Sequence, residues 1–203
     1  CELALCSQHY STLGYCLNIL NESGGSSEQI TEYEASIFSD GGSSKNCLKD
    51  LWIDLSPHLF GSLQRLVSNF EIGINYRSVT INKDELHVEA SVDVAGSSRK
   101  IFCRFCVGFN ENTKVNFRLN NTKYDIFGKN DLHGVYQCYI SCEDKQYVFM
   151  DPLHHYLWEF YQNGNYLSGS NAINNFIYVM NSSRVIAEEM DKCLVYCSKR
   201  KPV

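Results

Sequence analysis

The stretch Asn174 to Cys197, NNFIYVMNSSRVIAEEMDKCLVYC, decides how the chain is read to close. Phe176, Tyr178 and Met180 alternate with Ile177 and Val179, and this aromatic and β-branched content predicts a strand buried on both faces. The strand runs into Asn181-Ser182-Ser183, an N-glycosylation acceptor pattern, so the backbone is expected to surface there. Cys193 and Cys197 follow, and Cys1 and Cys6 mirror them at the other end of the chain. A terminal strand that reaches back to clamp the N-terminal segment would close the domain.

Working outward, a chain of 203 residues with 44% hydrophobic and 13% aromatic residues is long and apolar enough to bury a core, and residues 1–203 read as one domain. A net charge of −5 gives no support to nucleic-acid binding, which wants a basic face. No apolar run reaches the roughly eighteen residues of a membrane span. With no initiator Met and no signal-peptide core at Cys1, the N-terminus is expected to be a processed end. Ten cysteines accompany three sequons, at Asn21, Asn120 and Asn181. Together they point to the secretory pathway and an extracellular domain.

In chain order, Cys1 to Leu20 is expected to be an ordered segment tied by disulfides, followed by a polar glycine-rich loop from Asn21 to Gln29. Ile30 to Phe38 alternates as a one-sided strand. Ser56 and Pro57 read as N-cap and first residue of a helix whose apolar face is Leu59, Phe60, Leu63, Leu66, Val67 and Phe70. Strands are predicted at 72–81, 86–94, 100–109, 115–119 and 135–141, with Asn82-Lys83-Asp84 as a turn and GKNDLHG as a polar connection. Asp151 and Pro152 open a second helix that the glycine at 164 ends. The fold class is α/β (α+β): a mostly antiparallel central sheet, two main helices and disulfide-tied loops.

Catalytic patterns are missing. HHYLWEF lacks the His-Glu-x-x-His spacing, and there is no G-x-S-x-G elbow and no phosphate-binding glycine loop. An even, secreted set of cysteines leaves no thiol for a Cys–His protease. The sequence is therefore expected to be no enzyme and to need no cofactor or metal. Cys103 and Cys106 against Cys138 and Cys142 have the outline of either two disulfides or a structural zinc site, and the oxidising compartment favours disulfides. Thirteen tyrosines would suit either a recognition surface or a core edge.

Several short segments carry a resemblance. FIYVM followed by the sequon NSS and an acidic run to Cys193, EFYQNGNYL, EYEASIF before Cys47, LFGSLQRLVSNFEIGI, and CSQHYSTLG are colinear with one family. In these segments the chain resembles the receptor-binding attachment subunit of the arenavirus envelope spike glycoprotein, as a divergent member of a reptile-infecting branch. Residues near 95–147 match nothing in that family, and the cysteine its members carry upstream of the closing strand is absent. The resemblance implies a virion-surface domain that binds a host-cell receptor, sits on a membrane-anchored fusion subunit and assembles as a trimer of such pairs. It implies release from the fusion subunit in acid endosomes. It also implies that Cys6 pairs with Cys193; given that pair, Cys1–Cys197 is expected as a parallel outer clamp and Cys16–Cys47 as the tie of the first glycan loop. Of the family's acid-sensing histidines only His9 matches, since Lys192 precedes Cys193. His154 and His155, at a helix start where a second positive charge is unfavourable, are the other pH-sensing candidates. The alternative reading is a secreted disulfide-rich effector or carbohydrate-binding module without catalytic activity.

Overall fold

Tyr33, Ala35 and Ile37 are buried while Glu34, Ser36 and Phe38 between them stay half-exposed, so the two sides of this strand meet different surroundings. The strand is β1, Glu32–Ser39, and it runs through the middle of one eight-stranded sheet. In this computed structural model, residues 8–40, 47–63, 65–67, 74–94, 97–152, 154, 155, 158, 181 and 183–191 are described.

The chain enters as helix α1 (Gln8–Glu22), passes through β1, and continues as helix α2 (Leu48–Leu63). Then come β2 (Ile74–Asn82), β3 (Glu85–Asp93), β4 (Lys100–Phe109), β5 (Lys114–Leu119), β6 (Thr122–Asn130), β7 (Tyr136–Cys142) and β8 (Lys145–Met150). Residues 183–191 form a further helical stretch, α3. The strand order is β2-β3-β4-β1-β5-β6-β7-β8. Among the described strands, β1 and β4 alone pair in parallel, and the other neighbours are antiparallel. Parallel pairing needs a crossover, and α2 followed by the β2–β3 hairpin supplies it. Lys83, Asn120 and Glu143 each adopt a left-handed conformation (φ 51°, 51° and 53°) at three tight turns between antiparallel neighbours.

The helices cover one face. Phe60 of α2 meets Phe105 of β4 at 5.1 Å, and the Tyr33 hydroxyl shares a 2.7 Å hydrogen bond with Ser62 of the same helix. Tyr15 of α1 stacks on Phe149 of β8 at 4.3 Å. Trp52 donates its indole N–H to the Ser183 carbonyl at 3.0 Å, and Ser56 donates to the Ser183 hydroxyl at 2.7 Å, which locks α3 onto α2. Each fully buried large side chain here, Trp52, Phe60 and Phe105 among them, contributes about 1.5–3 kcal/mol.

The strands foreseen from alternation and turns are present, and β4 has the bounds read from sequence. Four expectations are corrected. Helix α2 begins at Leu48, so Pro57 lies inside it, and Ser56 bonds Ser183 instead of capping. Proline there leaves the carbonyl of Ile53 without its helical donor, on a residue 40% exposed where water can serve it. The acidic run after the predicted closing strand is helical, with Ser183, Ile186, Ala187 and Met190 buried at helical spacing. Residues 176–180 themselves lie outside the described residues. The Cys1 to Leu20 segment is a helix from Gln8 onward, and the polar connection before Tyr136 begins with strand β6.

The fourth correction is the disulfide framework. Cys16, Cys47, Cys103, Cys106, Cys138 and Cys142 are all free thiols. Strands β4 and β7 stand four places apart, about 19 Å at about 4.8 Å per strand. A disulfide needs α-carbons within roughly 7 Å. Cys103 and Cys106 point to opposite faces of β4, which also rules out one metal shared by both. Cys16 sits against Cys138 and Cys142 on the helix-covered face, not against Cys47. Burial pushes the Cys103 and Cys138 thiols up to about 12, as expected of small apolar core residues. The pairs Cys6–Cys193 and Cys1–Cys197 lie outside the described residues.

Candidate functional site

No helix of the described chain covers the second face of the sheet, and its chemistry-bearing residues stand in rows set by register. Glu89 of β3, Arg104 of β4, Glu34 of β1 and Arg118 of β5 are successive cross-strand partners. Their signs alternate. Arg104 bonds Glu34 and lies 3.8 Å from Glu89, while Arg118 reaches Glu34 at 3.4 Å. Arg104 and Arg77 both stack over the Phe102 ring, at 4.8 and 5.1 Å. These pairs are solvent-washed, so each is worth at most about 1 kcal/mol, and their effect is to fix side-chain positions.

Two residues along, toward the β2–β3 turn, His87 of β3 faces Cys106 of β4. His87 Nε2 is 2.9 Å from Glu85 Oε2 and 3.9 Å from Cys106 Sγ. The three donor atoms of Glu85, His87 and Cys106 lie within 4.8 Å of one another. Burial, then the neighbouring Glu85, pushes the Cys106 thiol up to about 12. Phe38 packs against the α-carbon of Gly108, where an added β-carbon would come within 2.9 Å of its ring. A cavity of about 280 Å³ is bounded by these groups together with Arg104 and Glu34. It combines a cation, several carboxylates, an imidazole and a thiol.

A second, smaller cavity of about 170 Å³ lies near α1, with His9, Tyr136 and Cys138 in its wall. His9 is 6% exposed and meets His58 edge-on at 5.3 Å and Phe117 at 6.3 Å. Burial, and secondarily the charge of His58, depresses His9 to about 3. The other predicted histidines are elsewhere: His154 is exposed and His155 packs edge-on to Tyr15 at 5.1 Å. Of the sequon residues, Asn21 and Asn181 are exposed. Asn120 is engaged at a turn, its Oδ1 accepting from the Thr31 and Glu32 amides at 2.9 and 3.0 Å and its Nδ2 donating to the Gln29 carbonyl.

No protein-family model matches this chain, and no curated protein matches it. Solved structures do. An oxidoreductase from Thermotoga maritima superposes with a TM-score of 0.52 at 8% identity, over 92% of this chain and 59% of that one. This fold is shared with an oxidoreductase. Below the level of a shared fold stand a UDP-N-acetylglucosamine 3-dehydrogenase from Acidithiobacillus ferrooxidans (TM-score 0.43, 11% identity, 88% of this chain and 59% of that) and an oxidoreductase so described from Bacillus subtilis (0.40, 12%, 90% and 63%). The chain thus spans about 59% of the length of the first of these structures.

The likeness overturns the arenavirus resemblance and what followed from it. Of the segments quoted for that resemblance, EYEASIF forms β1 of a sheet shared with an oxidoreductase, and no family model matches the chain. Attachment to a host receptor, acid release from a fusion subunit, and the secreted effector or carbohydrate-binding alternative are withdrawn with it. The receptor, fusion subunit and trimer were implied by that resemblance alone. The extracellular, virion-surface location rested on paired cysteines, and six of the cysteines are unpaired. The expectation that the chain is no enzyme is also corrected, since it came from missing motifs while the fold is one an enzyme uses.

Proposed function

We propose that this chain works as the sheet part of an oxidoreductase, on the substrate side of the protein and not the dinucleotide side. The observation that carries this reading is the oxidoreductase fold shared over 92% of the chain. Its sheet is not the parallel, doubly wound type that holds dinucleotides, because one neighbouring pair alone is parallel. The sequence has no G-x-G-x-x-G either. Since one fold hosts many chemistries, the reading is tied to a place: the cavity on the uncovered face, where Arg104 is the cation for an anionic or hydroxyl-bearing substrate.

Turnover by the natural protein that carries this chain tests the proposal. Oxidation of a sugar, polyol or hydroxy acid with NAD or NADP is expected, and Arg104→Ala is expected to lower kcat/KM about tenfold or more, as loss of a charged hydrogen bond does. Nicotinamide-independent behaviour across such a panel, with no dinucleotide binding, contradicts it.

A further inference from the structure

Glu85 and His87 alternate on β3, so both project from the uncovered face, and the register of β3 with β4 sets Cys106 opposite His87. Carboxylate, imidazole and thiol could serve two different chemistries. A nucleophile–base–orienter relay uses both ring nitrogens, one toward the thiol and the other toward the carboxylate. Here Glu85 and Cys106 both approach Nε2, at 2.9 and 3.9 Å. One nitrogen cannot accept from a thiol while it is held by a carboxylate, so this arrangement is not that of a relay. Three donors converging on one point is the arrangement a cation takes.

We propose that Glu85, His87 and Cys106 form a zinc site on the uncovered face of the sheet, with a fourth coordination position open to the cavity beside Arg104. The donor set is mixed, one sulfur, one nitrogen and one oxygen, which suits a borderline-soft ion and disfavours magnesium or calcium. Tetrahedral ligation at about 2.0–2.3 Å from the ion sets donors about 3.5 Å apart, and these three lie within 4.8 Å of one another before any side-chain adjustment. The strands fix the backbone of all three, and Phe38 packed on Gly108 walls the site on one side. Three protein ligands leave a place for water or a substrate oxygen, the pattern of zinc sites that act on a ligand. On binding, the thiol proton leaves to solvent and the thiolate takes its place on the ion.

The test needs no turnover, so its failure leaves the oxidoreductase reading standing. The natural protein is stripped with chelator, titrated with zinc against a chromophoric competitor, and measured for bound zinc and melting temperature. One zinc per chain is expected, with a raised melting temperature and, on cobalt substitution, a sulfur-to-cobalt charge-transfer band. Cys106→Ser and His87→Ala are each expected to weaken zinc at least tenfold, and Cys106→Ser also to remove that band, while both melt as the wild type does in chelator. Zinc bound as tightly by both variants as by the wild type would place the ion on other cysteines and overturn the proposal. So would a wild type that takes up no stoichiometric zinc.

Discussion

Single side chains whose position is fixed from several directions decide most at the residue scale. Asn120 stands in a left-handed turn, accepts two amides, and donates to a carbonyl. Asn120→Ala loses these bonds and a weaker one from the Thr31 hydroxyl, strains the turn, and is expected to cost about 2–3 kcal/mol in chemical denaturation. Thr122→Ala, which destroys the same sequon without touching those bonds, is expected within about 0.5 kcal/mol of wild type. Equal losses in the two would mean that the glycan, not the clasp, matters at this position. His9 gives a pH prediction of definite sign. Its folded pKa, about 3, lies below the ordinary 6.5, so the unfolded chain binds the proton first. The stability that His9 contributes is complete above about pH 6.5 and is lost as pH falls toward about 3, with about 2 kcal/mol gone at pH 5. His58, lowered by burial, acts in the same direction. Urea titrations between pH 8 and 4 are expected to show this slope in wild type and a shallower one in His9→Gln. An unchanged slope in the variant removes His9 from the account.

Elements differed in how far they could be read from sequence, for physical reasons. Strands β3 and β4 alternate cleanly and are bounded by turn residues, so they were legible almost to the residue. Their hairpin register was legible too. Pairing the two strands across the short connection between them sets His87 against Cys106, so the candidate metal set is legible in the sequence pattern. Strand β6 was missed because TKYDIFGKN mixes charge, glycine and asparagine, and its outward face tolerates them. Helices α1 and α3 are poorly legible because cysteines and acidic residues fit a disulfide clamp or a solvated loop as well as they fit a helical burial pattern. Leu13, Cys16 and Leu17 in α1, and Ile186, Ala187 and Met190 in α3, carry that pattern. In α2, Ser56-Pro57 carries the pattern of a helix start although the helix runs through it. Replacing it restores a backbone donor to Ile53, and Pro57→Ala is expected to stabilise the protein by about 1–2 kcal/mol, seen as a higher melting temperature. A lower melting temperature would show that the ring itself is packed.

Among the described residues, helices α1 and α2 lie on one face of a mostly antiparallel sheet, and the other face keeps a charged lattice around a cavity. Under the proposed function, the covered face would supply stability and the uncovered face would hold the substrate. It holds together through burial and needs no cross-links among the described cysteines. Cysteine count misled at this scale, because ten cysteines describe a staple framework and a thiol-rich core equally well. The most direct measurement is the intact mass of the protein after alkylation in denaturant without any reductant. The account predicts at least six adducts per chain, on Cys16, Cys47, Cys103, Cys106, Cys138 and Cys142. A chain that takes up none, and gains ten only after reduction, would be a disulfide-tied domain and would contradict it.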